Sequence, residues 1–241
     1  MEEICRVISN LQNSGREIVL VTSGAIGVGV GKLSMPSRPS GTEEKQAVAA
    51  IGQCELMFMY DKLFSEYHQI VAQILLTKNV TDRSRRNVQN TFNELFRMGA
   101  IPIVNENDTV ETAELEGTSY GDNDMLSAIV SELIHADALV IFTDTDGLFS
   151  ADPHSHPDAE IIHQVDTVTD EIRHIACGSG SNRGTGGMST KIHAAEFATS
   201  YGIPTYIINS STPENLYRLI SGETLGTFFV PKETQMQEST N

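Results

Sequence analysis

The chain has 241 residues, of which 39% are apolar and 20% are charged, and this suits one large globular domain or two small ones. Its 16 Lys and Arg stand against 32 Asp and Glu, which gives a net charge of -16 at pH 7. A broad surface for nucleic acid or an anionic membrane would have to overcome this repulsion, so both partners are poor candidates. A single phosphate ligand is compatible with the charge, because a few backbone N–H groups and one lysine can hold it locally.

The cysteine pattern and the start of the chain indicate a cytoplasmic protein. Cys5, Cys54 and Cys177 lie far apart and form no CxxC pair, so neither a disulfide framework nor a zinc cluster is indicated. No stretch approaches the roughly 18 apolar residues that a membrane span needs. Residues 1–15 lack the basic start and apolar run of a signal peptide.

Hydrophobic periodicity predicts helices that alternate with short apolar strands. The first helix places Ile4, Val7, Ile8 and Leu11 on one face, and Gly15 ends it. The later elements are predicted as strand 16–23, a glycine-rich turn, helix 42–67, strand 69–76, helix 81–98, a strand from 100, helix 122–135, strand 138–143, helix 190–201, strand 203–208 and helix 213–220. This alternation predicts one α/β domain with a mostly parallel sheet covered by helices on both faces.

Three stretches depart from the alternation. Residues 110–121 are acidic and rich in Gly and Thr, which is compatible with a hairpin, and residues 150–183 read as an irregular region with a short helix. Insertions of this kind often cover functional sites. Residues 232–241 are predicted to form a disordered tail.

The first candidate for chemistry is the glycine-rich run 22–32, which begins where a predicted strand ends. It is not a P-loop, since Ile26 stands where the motif has its first glycine and Leu33 follows Lys32 in place of Ser or Thr. Two interpretations stay open. The glycines either allow a helix to pack closely on the sheet, or Ser23 and the amides after it form an anion site.

Two polar tetrads, residues 105–108 and 121–124, flank the acidic stretch. Asp122 alone would be an ordinary helix cap. The density of carboxylates and amides favours a further role, because such groups need water, cations or a ligand that carries an amine. An amino-acid substrate supplies such an amine.

Two later segments also follow the pattern of ligand sites. Residues 143–149, TDTDGLF, come directly after an apolar strand, but no glutamate follows Gly147 at the spacing of an EF-hand, so calcium is not indicated. Residues 184–191, GTGGMSTK, run into an alanine-rich helix and combine glycine amides, hydroxyls and Lys191. This combination is typical of a local phosphate site at a helix N-terminus.

Taken together and in this order, VTSGAIGVG, VNENDTV, GDND, TDTDGL with ADP, and GTGGMSTK resemble the glutamate 5-kinases of the amino acid kinase family. The resemblance covers residue 16 to about residue 231, and residues 1–231 are therefore interpreted as the kinase domain. It implies a three-layer αβα sandwich with a mostly parallel central sheet. It also implies transfer of the ATP γ-phosphoryl group to the side-chain carboxylate of L-glutamate, the first step of proline synthesis, with Mg²⁺ as the accompanying ion.

The resemblance also assigns roles to residues. Ser23, Asp108 and Asn123 are expected to hold glutamate, Asp124 to act as an organising aspartate and Lys191 to neutralise charge in the transition state. The residues expected to bind ATP are Gly24, Thr143, Asp144, Thr185, Gly186, Gly187, Met188, Ser189, Thr190 and Lys191. Proline as an inhibitor, glutamyl phosphate reductase as a partner and a homo-oligomer are further implications.

The chain departs from the family pattern at both ends. The opening family strand, which resembles VVKxGSS and carries a second lysine, does not precede the first helix in this sequence, and the expected sheet therefore lacks its first strand. A C-terminal RNA-modification-like domain is also not expected. Two alternatives stay open: a catalytically impaired binding or regulatory protein, and a related kinase that acts on another acid.

Overall fold

The computed structural model describes residues 1–77, 82–110, 123–153, 155–177 and 187–233. The chain divides into two compact units, Met1–Leu126 and Ser127–Asn241. In the described part of the chain, no helix is both long enough and apolar enough to cross a membrane.

Unit 1 contains a three-stranded sheet and the helices that pack with it. Its elements are α1 (Glu2–Asn13), β1 (Leu20–Val21), α2 (Ala25–Lys32), α3 (Thr42–Ser65), β2 (Val71–Leu76), α4 (Asp82–Arg97), β3 (Ile101–Glu106) and the start of α5 (Asn123–Leu133). The strand order is β1-β3-β2, and both pairings are parallel. All six residues of β3 are buried, as expected of a central parallel strand covered on both faces.

The core of unit 1 forms between α1, α3 and β3. Cys5 and Ile8 of α1 meet Phe64 of α3 and Ile101 and Ile103 of β3 in one buried cluster. The predicted periodicity of α1 is confirmed, since its apolar face is the buried one. This packing places α3 directly behind the strands whose ends carry the predicted site.

The glycine-rich run is where the local prediction was wrong: residues 25–32 form α2 instead of a turn. Glycine weakens a helix by about 1 kcal/mol per residue, so the sequence alone disfavours this outcome. Close packing on α3 explains it, because a β-carbon on Gly29 would lie 2.2 Å from the carbonyl oxygen of Val48. The glycine therefore permits a backbone approach that any side chain would prevent, although the close contact is with helix α3 rather than with the sheet that the packing interpretation expected.

Unit 2 contains a four-stranded sheet. Its elements are the remainder of α5, β4 (Leu139–Thr143), β5 (Gln164–Val165), α6 (Asp170–Cys177), α7 (Met188–Ser200), β6 (Thr205–Asn209), α8 (Asn215–Ile220) and β7 (Thr227–Phe229). The strand order is β4-β6-β7-β5, and only the β6–β7 pairing is antiparallel. Helix α7 packs against β4, β6 and β7.

The predicted mostly parallel α/β fold is confirmed, with the described strands arranged as one sheet in each unit. The predicted strand 16–23 is shorter than expected, because only Leu20 and Val21 pair with β3. The short helix expected within 150–183 is α6. The expected hairpin, apart from residue 110, and the expected tail beyond residue 233 lie outside the described residues. The extent of the kinase domain over residues 1–231 stays a prediction.

Candidate functional site

The residues of unit 1 that are predicted to hold glutamate gather near the carboxyl ends of β1 and β3. These strands pair in parallel with Val21 opposite Val104, and the Thr22 N–H donates to the Val104 carbonyl at 2.9 Å. Thr22, the residue after β1, therefore lies beside Asn105, which is still within β3. Ser23, which follows Thr22, is exposed to solvent at this edge.

Asn123, the first residue of α5, joins the two strand ends. Its Nδ2 donates to the Thr22 carbonyl oxygen at 2.6 Å and to Asn105 Oδ1 at 3.0 Å. Both hydrogens of the Asn123 amide are thus used within the protein. The Asn123 carbonyl oxygen is the atom of this side chain that suits a ligand, and it can only accept a hydrogen bond.

Two residues of α3 complete this network from behind. Asn105, which is 2% exposed, donates from Nδ2 to Gln53 Oε1 at 2.7 Å, and the Tyr60 hydroxyl lies 2.8 Å from Thr22 Oγ1. Burial raises the pKa of the Tyr60 hydroxyl, and the hydrogen bond with Thr22 offsets part of that rise. Tyr60 therefore stays neutral and holds the Thr22 side chain at physiological pH.

Sequence reasoning did not identify Gln53 or Tyr60 as part of the site. The signal was present, because Ala49, Gln53, Leu56 and Tyr60 recur at spacings of three and four on the buried face of α3. A glutamine on an otherwise apolar helical face must find a hydrogen-bond partner. That partner is Asn105, a member of the first polar tetrad.

The other residues predicted for the glutamate site, Asp108 and Asp124, follow β3 and lie in α5, respectively. Asp108 follows β3 by two residues and is half-buried, and Asp124 lies in the first turn of α5, next to Asn123. Residues 121 and 122 of the second tetrad lie outside the described residues. The structure thus brings Ser23, Asn123 and Asp124 to one edge of unit 1, where β3 also leads into Asp108.

The N-terminus of α2 has the local geometry of an anion site. Gly24 adopts a left-handed conformation with φ of 97°, and its carbonyl accepts the first helical hydrogen bond from the Val28 N–H. The N–H groups of residues 25–27 occupy the first turn, where an α-helix has no internal acceptors for them. The exposed Ser23 hydroxyl adjoins these amides, so the predicted anion site fits this helix start.

The predicted nucleotide residues of unit 2 include the end of β4. Thr143 is buried, and its carbonyl accepts from the Ser210 N–H at 2.8 Å, just beyond β6. Asp144 is exposed and accepts from Thr143 Oγ1 at 3.2 Å. A link across the same edge joins Asn209 Nδ2 to Asp146 Oδ1 at 2.8 Å.

The loop after β4 is fixed from beneath by Thr227 of β7. Its buried hydroxyl accepts from the Leu148 N–H at 2.8 Å and donates to the Ile162 carbonyl at 2.7 Å. Gly147 reaches this position with φ of 152°, and a β-carbon there would lie 2.7 Å from Thr227 Oγ1. Glycine at position 147 is thus required for this close approach as well as for the turn.

The GTGGMSTK segment enters the described structure at Gly187, the residue that precedes α7. Thr185 and Gly186 lie outside the described residues. Met188, Ser189 and Lys191 are half-buried, whereas Thr190 is buried and donates from its hydroxyl to the Gly187 carbonyl at 2.7 Å. Because α7 packs on the sheet and turns directly into β6, its N-terminus lies at the edge where β6 ends.

Residues 1–209 match the model of the amino acid kinase family, and the chain belongs to that family. A curated glutamate 5-kinase of Clostridium perfringens is 51% identical over 236 residues, which span 97% of this chain and 88% of that protein. One from Listeria monocytogenes is 47% identical over 238 residues, spanning 98% and 86%.

Solved structures of other kinases share the fold at low sequence identity. An isopentenyl phosphate kinase of T. acidophilum matches with a TM-score of 0.62 at 17% identity, over 94% of this chain and 89% of that one. UMP kinase from Bacillus anthracis matches with a TM-score of 0.60 at 16% identity, over 96% and 86%. These similarities confirm the predicted fold class.

Proposed function

We propose that this protein phosphorylates the side-chain carboxylate of L-glutamate with ATP, giving glutamyl 5-phosphate and ADP, the first step of proline synthesis. The observation that carries the proposal is the 47–51% identity to curated glutamate 5-kinases over nearly the whole chain. The polar network at the ends of β1 and β3 supports an acceptor that carries an amine. The phosphoryl-binding pattern at the start of α7 supports a nucleotide donor.

The chemistry needs positioning and charge neutralisation more than proton transfer. A glutamate side chain has a pKa near 4.3 in solution, so its carboxylate is already ionised at pH 7 and no general base is required. A carboxylate oxygen attacks the γ-phosphorus, and the bond to the β–γ bridging oxygen breaks, with its electron pair leaving on ADP. The obstacle is repulsion between two anions, which cationic and N–H donors reduce.

Unit 1 holds the residues proposed to bind glutamate. Asn123 offers an acceptor oxygen and Asp108 a carboxylate, both suited to an ammonium group. The Ser23 hydroxyl and the amides at the start of α2 suit a carboxylate. The two charged ends of an amino acid would therefore meet groups of opposite polarity.

Unit 2 holds the residues proposed to bind ATP. Thr143 and Asp144 lie at the end of β4, and the first-turn amides of α7 suit phosphate oxygens. The other proposed ATP residues are Met188, Ser189, Thr190 and Lys191 of that turn and, before it in the sequence, Thr185, Gly186 and Gly187. Gly24 of unit 1 is a further proposed nucleotide contact. Lys191 supplies the positive charge for the transferring phosphoryl group, and Asp124 is assigned the organising carboxylate of the family.

Magnesium fits this proposal as a partner of ATP. It is commonly held by substrate phosphates, water and one or two carboxylates. The exposed Asp144 carboxylate at the end of β4 is a hard oxygen donor of the kind that Mg²⁺ prefers. When bound, the ion would offset phosphate charge and orient the nucleotide.

The chemistry of the product suggests which reaction follows this one. An acyl phosphate hydrolyses readily, so the product calls for prompt reduction by an enzyme such as glutamyl phosphate reductase. Inhibition by proline, a homo-oligomeric state and a cytoplasmic location stay predictions. The first two were inferred beside the family resemblance, and the location was inferred from the cysteine pattern and the start of the chain.

The proposal is tested by trapping the acyl phosphate with hydroxylamine in the presence of Mg²⁺, ATP and L-glutamate. The expected result is hydroxamate that depends on both substrates. N-acetylglutamate, aspartate, carbamate and UMP form the acceptor panel, and Lys191→Ala is the matched inactive control. Preference for another acceptor would identify a related kinase instead. ATP binding without turnover on any acceptor would favour a regulatory protein.

A further inference from the structure

The proposed glutamate site of unit 1 contains a chain of three side-chain amides, in which the NH₂ groups of the first two each donate to the oxygen of the next amide. Asn123 donates to Asn105, at 3.0 Å, and Asn105 donates in turn to Gln53 Oε1, at 2.7 Å. Asn105 Oδ1 also accepts from the Glu106 N–H at 2.9 Å. The chain therefore begins at a proposed substrate residue and ends in the helix behind it.

We propose that Gln53 is a positioning residue that acts through Asn105 to fix the orientation of the Asn123 amide for the substrate. This inference rests on the proposed function, since the substrate donor that Asn123 would meet is the ammonium group of glutamate. Gln53 does not itself reach the ligand in this scheme. Its Oε1 and the Glu106 N–H together set which way Asn105 faces. Asn105 and the Thr22 carbonyl together set which atom Asn123 presents.

Gln53 reinforces the direction of these hydrogen bonds at the inner end of the chain. If Asn105 were flipped, its NH₂ group would face the NH₂ group of Asn123, and its oxygen would face Gln53 Oε1. Each contact would then place two like groups together in a buried site. The acceptor at Gln53 opposes that arrangement together with the Glu106 N–H, and the Asn123 oxygen is then the group offered to a ligand.

Burial makes the hydrogen bond between Asn105 and Gln53 important for stability. Gln53 is 9% exposed and Asn105 is 2% exposed, so water is a poor substitute for the bond between them. Among the described residues Gln53 Nε2 has no hydrogen-bond partner, so Gln53 contributes to the chain through Oε1 alone. Removing that oxygen would leave a buried amide donor of Asn105 without its acceptor.

The test replaces Gln53 with methionine, which keeps the length of the side chain and removes the acceptor. We expect Gln53→Met to raise the KM for glutamate about tenfold, the effect of one buried hydrogen bond, with kcat and the KM for ATP changed less than about twofold. Gln69→Met is the matched control. It removes a surface glutamine–asparagine bond of 2.8 Å, to Asn13, and should leave all three constants unchanged.

A double-mutant cycle separates positioning from general damage. In an Asn123→Ala background, Gln53→Met should cause no further rise in the KM for glutamate, because the amide that Gln53 positions is gone. Gln53→Leu replaces the methionine variant if that variant does not fold.

The inference would be overturned if the two substitutions raised the KM for glutamate by independent factors in the double variant, or if Gln53→Met alone raised it less than about threefold. The proposed function would stand in either case. A wild-type protein without glutamate-dependent turnover would overturn both.

Discussion

A β-carbon on Gly52 would lie 1.8 Å from the carbonyl oxygen of Ala25, so α3 and α2 meet backbone to backbone at this point. Ala25 is the first residue of α2 and directly follows Ser23 and Gly24. Gln53, on the next position of α3, contacts Asn105. The same turn of α3 therefore sets the position of the α2 N-terminus and supports the amide network.

Gly52→Ala is expected to destabilise the protein by about 1–3 kcal/mol, because the added methyl group overpacks a helix contact that cannot yield without backbone movement. The KM for glutamate should rise as well, since α2 must move away from α3. Chemical denaturation and steady-state kinetics measure the two effects. Gly31→Ala is the control, because a β-carbon there meets nothing within 4 Å and should leave stability unchanged or higher.

Asn123→Asp tests whether the donor character of Asn123 matters. The substitution keeps the shape but replaces the NH₂ group with an oxygen that faces the Thr22 carbonyl and Asn105 Oδ1. We expect a loss of about 1–3 kcal/mol in stability and a KM for glutamate at least tenfold higher. Asn215→Asp is the isosteric control, since its oxygen already accepts from Arg218. Equal behaviour of the two variants would contradict the assigned network.

Lys191→Ala is expected to lower kcat by about 10² to 10³, the usual effect of losing one preorganised donor at a developing charge. The unfolding free energy should change little, because Lys191 is only half-buried. Lys232→Ala, an exposed lysine of the same unit, is the control. A decrease in kcat of less than tenfold would remove Lys191 from the proposed transition-state role.

The pH dependence of stability should reveal the buried thiol of Cys5. Burial raises the pKa of Cys5 from 9.0 to about 11, so between these values the unfolded chain loses the thiol proton while the folded protein keeps it. Ionisation then favours the unfolded state, and stability should fall by about 2 kcal/mol between pH 8 and pH 11.

Denaturation of wild type and Cys5→Ala across this range measures the contribution of the thiol. The fall in stability between pH 8 and pH 11 should be smaller by about 2 kcal/mol in Cys5→Ala. Replacing the exposed Cys54 with alanine should leave the wild-type pH dependence unchanged. The raised pKa of Tyr60 acts in the same direction in all three proteins. A wild-type curve parallel to that of Cys5→Ala would contradict the assignment.

Thr227→Val tests the support beneath the loop after β4. The substitution keeps the shape and removes the hydroxyl that bonds the Leu148 N–H and the Ile162 carbonyl. We expect a loss of about 1–3 kcal/mol in stability and a higher KM for ATP, with the KM for glutamate unchanged. Thermal denaturation and substrate titrations measure these effects. Ser211→Ala, which removes an exposed hydroxyl of the same unit, should behave like wild type.

The alternation of helices and strands was predictable because each element has its own periodicity. The apolar positions of α1 recur at helical spacing, and β3 is a continuous apolar run that ends in polar residues. The motif residues at the strand ends then follow from the rule that parallel strands share a carboxyl edge. This reasoning places Ser23, Asp108 and Thr143 at such edges from the sequence alone.

Features that depend on contacts between distant residues were not predictable. Helix α2 contradicts the local preference of its glycines, since its stability comes from packing against α3. Gln53 carries no motif, and its partner Asn105 lies 52 positions later in the chain. Single-sequence periodicity identifies which face of α3 is buried, but it does not identify what lies opposite that face.

The residues proposed for glutamate all precede Leu126, and those proposed for nucleotide, apart from Gly24, all follow Ser127. If these proposed sites are correct, acceptor choice and donor binding are encoded in nearly separate halves of the gene. Substitutions confined to the first half could redirect the enzyme to another acid while leaving its use of ATP intact. The same separation suits laboratory recombination, in which acceptor halves from different kinases are joined to one constant nucleotide half.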